Sequence, residues 1–146
     1  MEVTFGFMSV ELTQEVSDRL VSDHYGWLTT VAKSGQPVPR LIWFYYSGVA
    51  GAELTVYSMP RAAKVTHIKA RPQVSLNLDS DGNGGGIIVV GGTAAIEAAG
   101  VDCRDDEAYW AKYSEDAAKF GLTEAMSSYS TRLSITPTKV WTTPTA

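Results

Sequence analysis

The sequence predicts a mainly β domain with flanking helices, its six strands antiparallel and closed into a small barrel. Three observations lead there. Six segments are rich in strand-forming residues, several with the apolar–polar alternation of a half-buried strand. Turn residues join them in runs, which favours antiparallel neighbours, and closure removes the edges that short strands would otherwise expose. With 146 residues, 45% of them hydrophobic, the chain can bury about two-thirds of its extended surface. Residues 1–146 therefore read as a single domain.

The first element is an amphipathic helix over 10–23. Leu12, Val16 and Leu20 recur at every fourth position, Glu15, Ser17, Asp18 and Arg19 fill the other face, and Ser9 or Thr13 can cap the start. A strand follows at 26–32, a turn at 34–37, and a strongly aromatic strand at 40–47. A turn at 48–51 leads to an alternating strand at 53–58, so strands two and three are expected to form a hairpin. The period then changes: Pro60 suits a first helical turn, and the helix runs up to Pro72 with Val65 and Ile68 as its buried face. Strand four occupies 73–79 and a loop of turn residues 80–86. Strand five spans 86–98, with Gly91 and Gly92 marking a bulge or bend. Residues 105–120 form a helix with an acidic first turn, and Gly121 ends it. A helical turn near 123–129 precedes the closing strand at 132–141, whose Pro137 requires an edge or a bulge.

Net charge is −4 and the isoelectric point is near 5.1, which argues against nucleic acid or an anionic membrane as partner. The one cysteine, Cys103, allows no intrachain disulfide and suits a reducing compartment. The first residues lack a basic region and carry Glu2 and Glu11, so they do not read as a signal peptide. No stretch nears the roughly 18 apolar residues of a membrane span, and the expected location is the cytoplasm. Charged residues are only 19%, against about 25% in typical domains. A protomer with a large apolar interface would show such a deficit.

Most catalytic signatures are missing. His24 and His67 are far apart and lack zinc-like spacing, so both read as surface or hydrogen-bonding histidines. No serine-hydrolase elbow occurs. Asp102, Asp105 and Asp106 should raise the pKa of Cys103 and blunt it as a nucleophile. The glycines at 82–86 lack the Lys-Ser/Thr of a phosphate loop and lead into a strand, so they read as a hairpin loop. Asp105, Asp106 and Glu107 read as helix-start residues.

One constellation stands out at 58–64. A strand ends at Ser58 and a helix begins near Pro60, placing Arg61 and Lys64 on one face of its first turn. Cations are disfavoured there by the helix dipole unless an anion docks between them. Ser58 can add a hydroxyl; a solvated basic helix end is the alternative. Beside this cluster, Trp43, Phe44, Tyr45 and Tyr46 are consecutive, so two point to each face of their strand. One pair can line the barrel, and the other needs cover from a planar ligand or a partner subunit.

These residues carry a resemblance. Gly35-x-Pro37, Trp43-Phe44 and Gly48 resemble the strand-two hairpin of the pyridoxamine-phosphate-oxidase-like flavin proteins. Val56-Tyr57-Ser58, Arg61, Lys64, Ile68 and Pro72-x-Val74 are similar to that family's phosphate-binding segment. Gly92-Thr93-Ala94 resembles its next strand, and Arg132-Leu133-x-Ile135-x-Pro137 with Trp141 its last. The nearest likeness is to the actinobacterial branch of F420-dependent (deazaflavin) reductases. The resemblance implies a six-stranded split β-barrel homodimer with cofactor sites at the subunit interface. It also implies that coenzyme F420, or alternatively FMN, is held at its phosphate by Arg61 and Lys64. Ser58, Tyr57, Arg40 and the mid-strand Asn77 are further cofactor-binding candidates by position and polarity. The dense arginine set of the oxidases themselves has no equivalent here, and the 80–86 loop has glycines and Asn83 where some deazaflavin relatives carry a stacking tryptophan. The implied activity is hydride transfer between reduced deazaflavin and a small unsaturated or oxidised acceptor, with Tyr57 or a backbone N–H as a donor to the acceptor. The alternatives are an FMN-binding oxidoreductase and a non-catalytic flavin carrier.

Overall fold

A computed structural model of the chain describes residues 10–143. Its order is α1 (Gln14–Ser22), β1 (Tyr25–Val31), β2 (Pro37–Trp43), β3 (Leu54–Ser58), α2 (Ala63–Ala70), β4 (Gln73–Asn77), β5 (Ile88–Ala98), α3 (Glu107–Lys119) and β6 (Thr131–Thr142). A short 3-10 turn at Cys103–Asp105 precedes α3 and another at Ala125–Ser128 follows it. The six strands form one antiparallel sheet in the order β2-β1-β4-β5-β6-β3. A single bridge, Tyr45 with Thr55, joins the two edge strands, so the sheet curls into a half-barrel.

The sequence pattern explains the core. Leu28, Phe44, Leu54, Val56, Leu76, Val90, Leu133 and Ile135 alternate inward along the strands and are fully buried. Leu20 of α1 and Ile68 of α2 join the same cluster. Thr13 caps α1, its side chain accepting from the Val16 N–H; Ser9 lies outside the described residues. The expected bulge is present: Gly91 faces Lys139 while Gly92 faces Pro137, leaving Thr138 unmatched. Glycine is required at 92, because a Cβ there would lie 2.7 Å from Ile135 and from the Thr136 carbonyl oxygen.

Three expectations are corrected. Strands two and three do not form a hairpin. Residues 37–43 pair along their whole length with β1, and β3 pairs with β6. Just past β2, Tyr45 bridges to Thr55 of β3, and Gly48 and Gly51, both at positive φ, carry the chain round. Helix α2 starts at Ala63, with Ala62 as its N-cap, so Pro60 and Arg61 sit in a turn ahead of it and Arg61 shares no helix face with Lys64. The second aromatic face of strand two, for which a planar ligand or a partner subunit was the expected cover, receives cover from within the chain. Helix α3 of the same chain packs there: Trp43 stacks on Tyr113 with ring centroids 4.9 Å apart and planes 11° apart. Trp43 and Tyr45 thereby border a second cluster built on Tyr57, Cys103, Tyr109, Tyr113, Ala117 and Met126. Among the described residues, no helix is long and apolar enough to cross a membrane.

Candidate functional site

Between that second cluster and the start of α2 lies a cavity of about 300 Å³, at the lower end of the roughly 300–1,000 Å³ typical of small-ligand pockets. Ile42 and Trp43 come from β2, Tyr57 from β3, Met59 and Ala62 from the turn before α2, and Tyr109 from α3. Leu122, Met126 and Tyr129, from the segment after α3, form the remaining wall. Arg40 stands at the exposed rim with Leu41, and Lys64 reaches in half-buried. Among the described residues, no carboxylate lines the cavity. Burial and, next, the charge of Arg40 lower the pKa of Lys64. Neither cation forms an ion pair among the described residues. Two like charges without a counter-ion, set against an aromatic wall, suit a planar ligand with an anionic end.

Helix α3 makes this wall rigid. Asp106 caps it by accepting from the Tyr109 N–H, 3.2 Å. The Tyr113 hydroxyl accepts from the Phe44 N–H at 2.8 Å and donates toward the carbonyls of His24 and Phe44. Lys112 Nζ adds a 2.9 Å bond to the Phe44 carbonyl, and burial lowers its pKa to about 8. One helix face thus clamps the backbone at the end of β2 and sets the position of Trp43.

The structure brings together three of the six candidate residues: Arg40, Lys64 and Tyr57 line the cavity. Arg61 is exposed and outside the lining, although next in sequence to Ala62. Ser58 is fully buried and donates its hydroxyl to the Met59 carbonyl, 2.9 Å. Asn77 lies on the outer face of the sheet, opposite the exposed Trp27. Tyr57 offers the cavity its ring only. Its hydroxyl donates to Asp106 Oδ2 at 2.6 Å, and burial with that bond pushes its pKa up to about 12. It is not free to polarise a ligand in the cavity. Sequence reasoning missed Tyr109, Met126 and Tyr129. A signal for the first existed: Tyr109, Tyr113 and Ala117 recur at spacing four and form the buried stripe of α3.

The remaining polar groups have local tasks. His24 Nδ1 lies 3.0 Å from Asp116, and His67 Nδ1 lies 2.8 Å from Thr30 Oγ1. Burial opposes the Asp116 carboxylate, but the Tyr25 hydroxyl and His24 hold its pKa below the usual value. Cys103 is buried, and burial followed by the charge of Asp102 pushes its thiol up to about 11. In the 80–86 loop the N–H groups of Asn83 and Gly85 are taken by Asp81, at 2.8 and 3.0 Å. Arg19 ties the same loop to α1 through the carbonyls of Asp79 and Gly86, each at 2.9 Å.

Residues 12–144 match the family described as Pyridoxamine 5'-phosphate oxidase. Among solved structures, a protein titled F420 Reductase shares 23% identity at a TM-score of 0.63, covering 95% of this chain and 98% of that one. A FAD-binding protein from Mesorhizobium loti shares 28% identity at a TM-score of 0.64, covering 90% of this chain and 94% of its own. HutZ, the heme storage protein from Vibrio cholerae, shares 16% identity at a TM-score of 0.60, covering 91% and 95%. No curated protein matches the chain.

Proposed function

This chain belongs to the pyridoxamine 5'-phosphate oxidase family, and from that premise we propose that it is an F420-dependent oxidoreductase. It transfers a hydride between reduced deazaflavin and a small unsaturated or oxidised acceptor. The observation that carries this reading is a cavity that, among the described residues, has two unpaired cations, no carboxylate and an aromatic wall. Arg40 and Lys64 hold the anionic end of the cofactor, Arg61 is the third candidate, and Trp43 and Tyr109 flank its ring. When bound, the cofactor supplies the hydride chemistry, which fits a cavity without an acid–base pair.

Charge distribution favours F420 over FMN. Residues 33–71 hold six of the chain's 12 lysines and arginines but only one carboxylate, Glu53. None of the six forms an ion pair among the described residues. A cofactor with several negative charges beyond its phosphate uses such a stretch better than one that ends at the phosphate. The FAD-binding neighbour supports the alternative, a flavin of the FMN type in the same cavity.

The second copy belongs to this reading. Leu41, Trp27, Asn77, Val89 and Trp141 pair across β2, β1, β4, β5 and β6, a row in which Leu41, Trp27 and Trp141 are 54%, 44% and 48% exposed. Leu41 also lines the cavity. A homodimer through this face covers the row and closes the cavity's open side.

Titration with F420 and with FMN tests the proposal. F420 is expected to bind more tightly. Charge-assisted bonds contribute about 1.5–3 kcal/mol each, so losing both Arg40 and Lys64 to Ala should weaken binding by at least about 100-fold. Arg61→Ala reports whether the third cation takes part. Unchanged affinity in the double variant would remove the anion clamp. Bound cofactor without turnover on any acceptor would leave a carrier instead of an enzyme.

A further inference from the structure

Phe44 sits where the chain leaves one half of the sheet for the other. The ladder of β2 with β1 ends at Trp43, opposite Tyr25, and Tyr45 bridges to Thr55 of β3. Phe44 lies between them and is fully buried, so its backbone groups need partners from elsewhere. Helix α3 supplies them. The Tyr113 hydroxyl accepts from the Phe44 N–H at 2.8 Å. That hydroxyl has one hydrogen and two carbonyls within reach, those of His24 and Phe44. It satisfies one at a time. Lys112 Nζ, 2.9 Å from the Phe44 carbonyl, is the second donor to it and leaves the hydroxyl free for His24.

Lys112 is half-buried and forms no ion pair among the described residues. Its Nζ stands 4.4 Å from the centre of the Phe44 ring and 5.3 Å from that of Tyr113, an attraction that only the charged form has. Burial lowers its pKa to about 8, against the opposing pull of Asp23 at the end of α1 and Asp116 one turn further along α3. Both acids are engaged elsewhere: Asp23 with Arg19, and Asp116 with His24 and the Tyr25 hydroxyl. Tyr25, through its bond to Asp116, and Tyr113, through burial, have raised pKa values and keep their protons while Lys112 loses its own.

We propose that Lys112 is a positioning residue for the cavity: its ammonium group holds the Phe44 carbonyl, that bond fixes the adjacent Trp43 wall, and loss of the charge loosens the wall and weakens binding of a planar ligand. The effect on ligand rests on the reading of the cavity as a cofactor site; the effect on Trp43 does not. A neutral amine still donates to the carbonyl, but a bond from an uncharged donor is about half as strong. The hold on the two rings goes with the charge. The Tyr113 hydroxyl is then drawn toward Phe44 at the expense of His24, and Trp43 stacks on that same tyrosine ring.

The full chain labelled with fluorotryptophan tests this. It has four tryptophans, and Trp43→Phe identifies the fluorine resonance of Trp43. Without ligand, that resonance is expected to move with a midpoint at about pH 8. The transition should persist in His24→Gln and in Lys64→Met and vanish in both Lys112→Met and Lys112→Arg. Lys112→Arg should hold the resonance near its low-pH position and Lys112→Met near its high-pH position. In FMN and F420 titrations below the transition, Lys112→Met should weaken binding by about fivefold and Lys112→Arg by less than about twofold. A Trp43 resonance that stays still through the transition range, or moves unchanged in Lys112→Met, would overturn the positioning role. If Lys112→Met does not fold, the parent and Lys112→Arg carry the same test. If the resonance titrates as expected while neither cofactor binds, the cofactor reading falls alone. If a cofactor binds Lys112→Met as tightly as the parent, the cofactor reading stands and the link from Lys112 to the ligand falls.

Discussion

Tyr109 and Tyr113 stand one turn apart on α3, both buried to 1% or less, with rings in contact at a centroid distance of 4.9 Å. Removing each hydroxyl should nevertheless have opposite consequences. Tyr113→Phe leaves the Phe44 N–H and the His24 carbonyl without their partner, while the Phe44 carbonyl keeps Lys112 Nζ. A buried group stripped of its partner costs about 1–3 kcal/mol, and His24 lies nearer the surface, so a loss of roughly 2–4 kcal/mol is expected. For a chain of this size 1 kcal/mol corresponds to about 2–4 °C, so Tm should fall by roughly 5–15 °C. Tyr109→Phe breaks no bond to a described residue and should stay within about 0.5 kcal/mol of the parent. Urea and thermal unfolding of the two variants, fitted with a common m-value, measure the difference. Equal destabilisation would refute the reasoning, because the Tyr109 hydroxyl would then have a structural partner.

Two further outcomes follow from the fold. Gly92→Ala should cost about 2–3 kcal/mol by unfolding titration, because Ile135 and a backbone carbonyl stand where the methyl group must go; a variant as stable as the parent would mean that the bulge can relax. Alkaline stability should fall from about pH 10 upward. Tyr25 and Tyr57 both have folded pKa values raised to about 12, above the ordinary value of about 10. The unfolded chain therefore loses those protons first, so their contribution is whole below pH 10 and is lost as pH rises toward 12. Lys112, lowered to about 8, works in the opposite sense between pH 8 and 10. Tm unchanged between pH 10 and 11.5, or an equally steep fall in Tyr57→Phe, would contradict this assignment.

The architecture was legible because it rests on local chemistry. Alternation gave the strands, Thr13 and the acidic residues before α3 gave helix starts, and the Gly91-Gly92 pair with Pro137 located the bulge. What failed required knowledge of partners across the sheet. A turn at 48–51 looks like a hairpin in sequence, yet β1 had already taken residues 37–43, so β3 found β6. Half of the site was legible for the same reason. Arg40, Tyr57 and Lys64 sit on elements whose inward and outward positions follow from their period. Tyr109, Met126 and Tyr129 enter from a distant helix and turn whose packing no local pattern fixes. Tyr57 shows the limit most clearly: its ring faces the cavity and its hydroxyl reaches Asp106 on the other side.

The low charged fraction takes a different meaning in the folded chain. Helix α3 covers part of the aromatics that pointed to an apolar interface, and the exposed row of Leu41, Trp27 and Trp141 is the face left for one. The charges that are present are unevenly used. Outside 33–71, arginines and acids are committed to each other: Arg19 to Asp23, Arg104 to Asp102 and Glu124, Arg132 to Glu97. Other carboxylates serve N–H and O–H donors, as Asp81 does in its loop and Asp106 does at the start of α3. Acids engaged in this way are held in place by their own partners and are not available to neutralise the 33–71 stretch. A chain with a net charge of −4 can therefore keep Arg40 and Lys64 bare at one cavity. Overall charge sets the long-range field of the chain, and the local shortage of carboxylates leaves these two cations without a counter-ion.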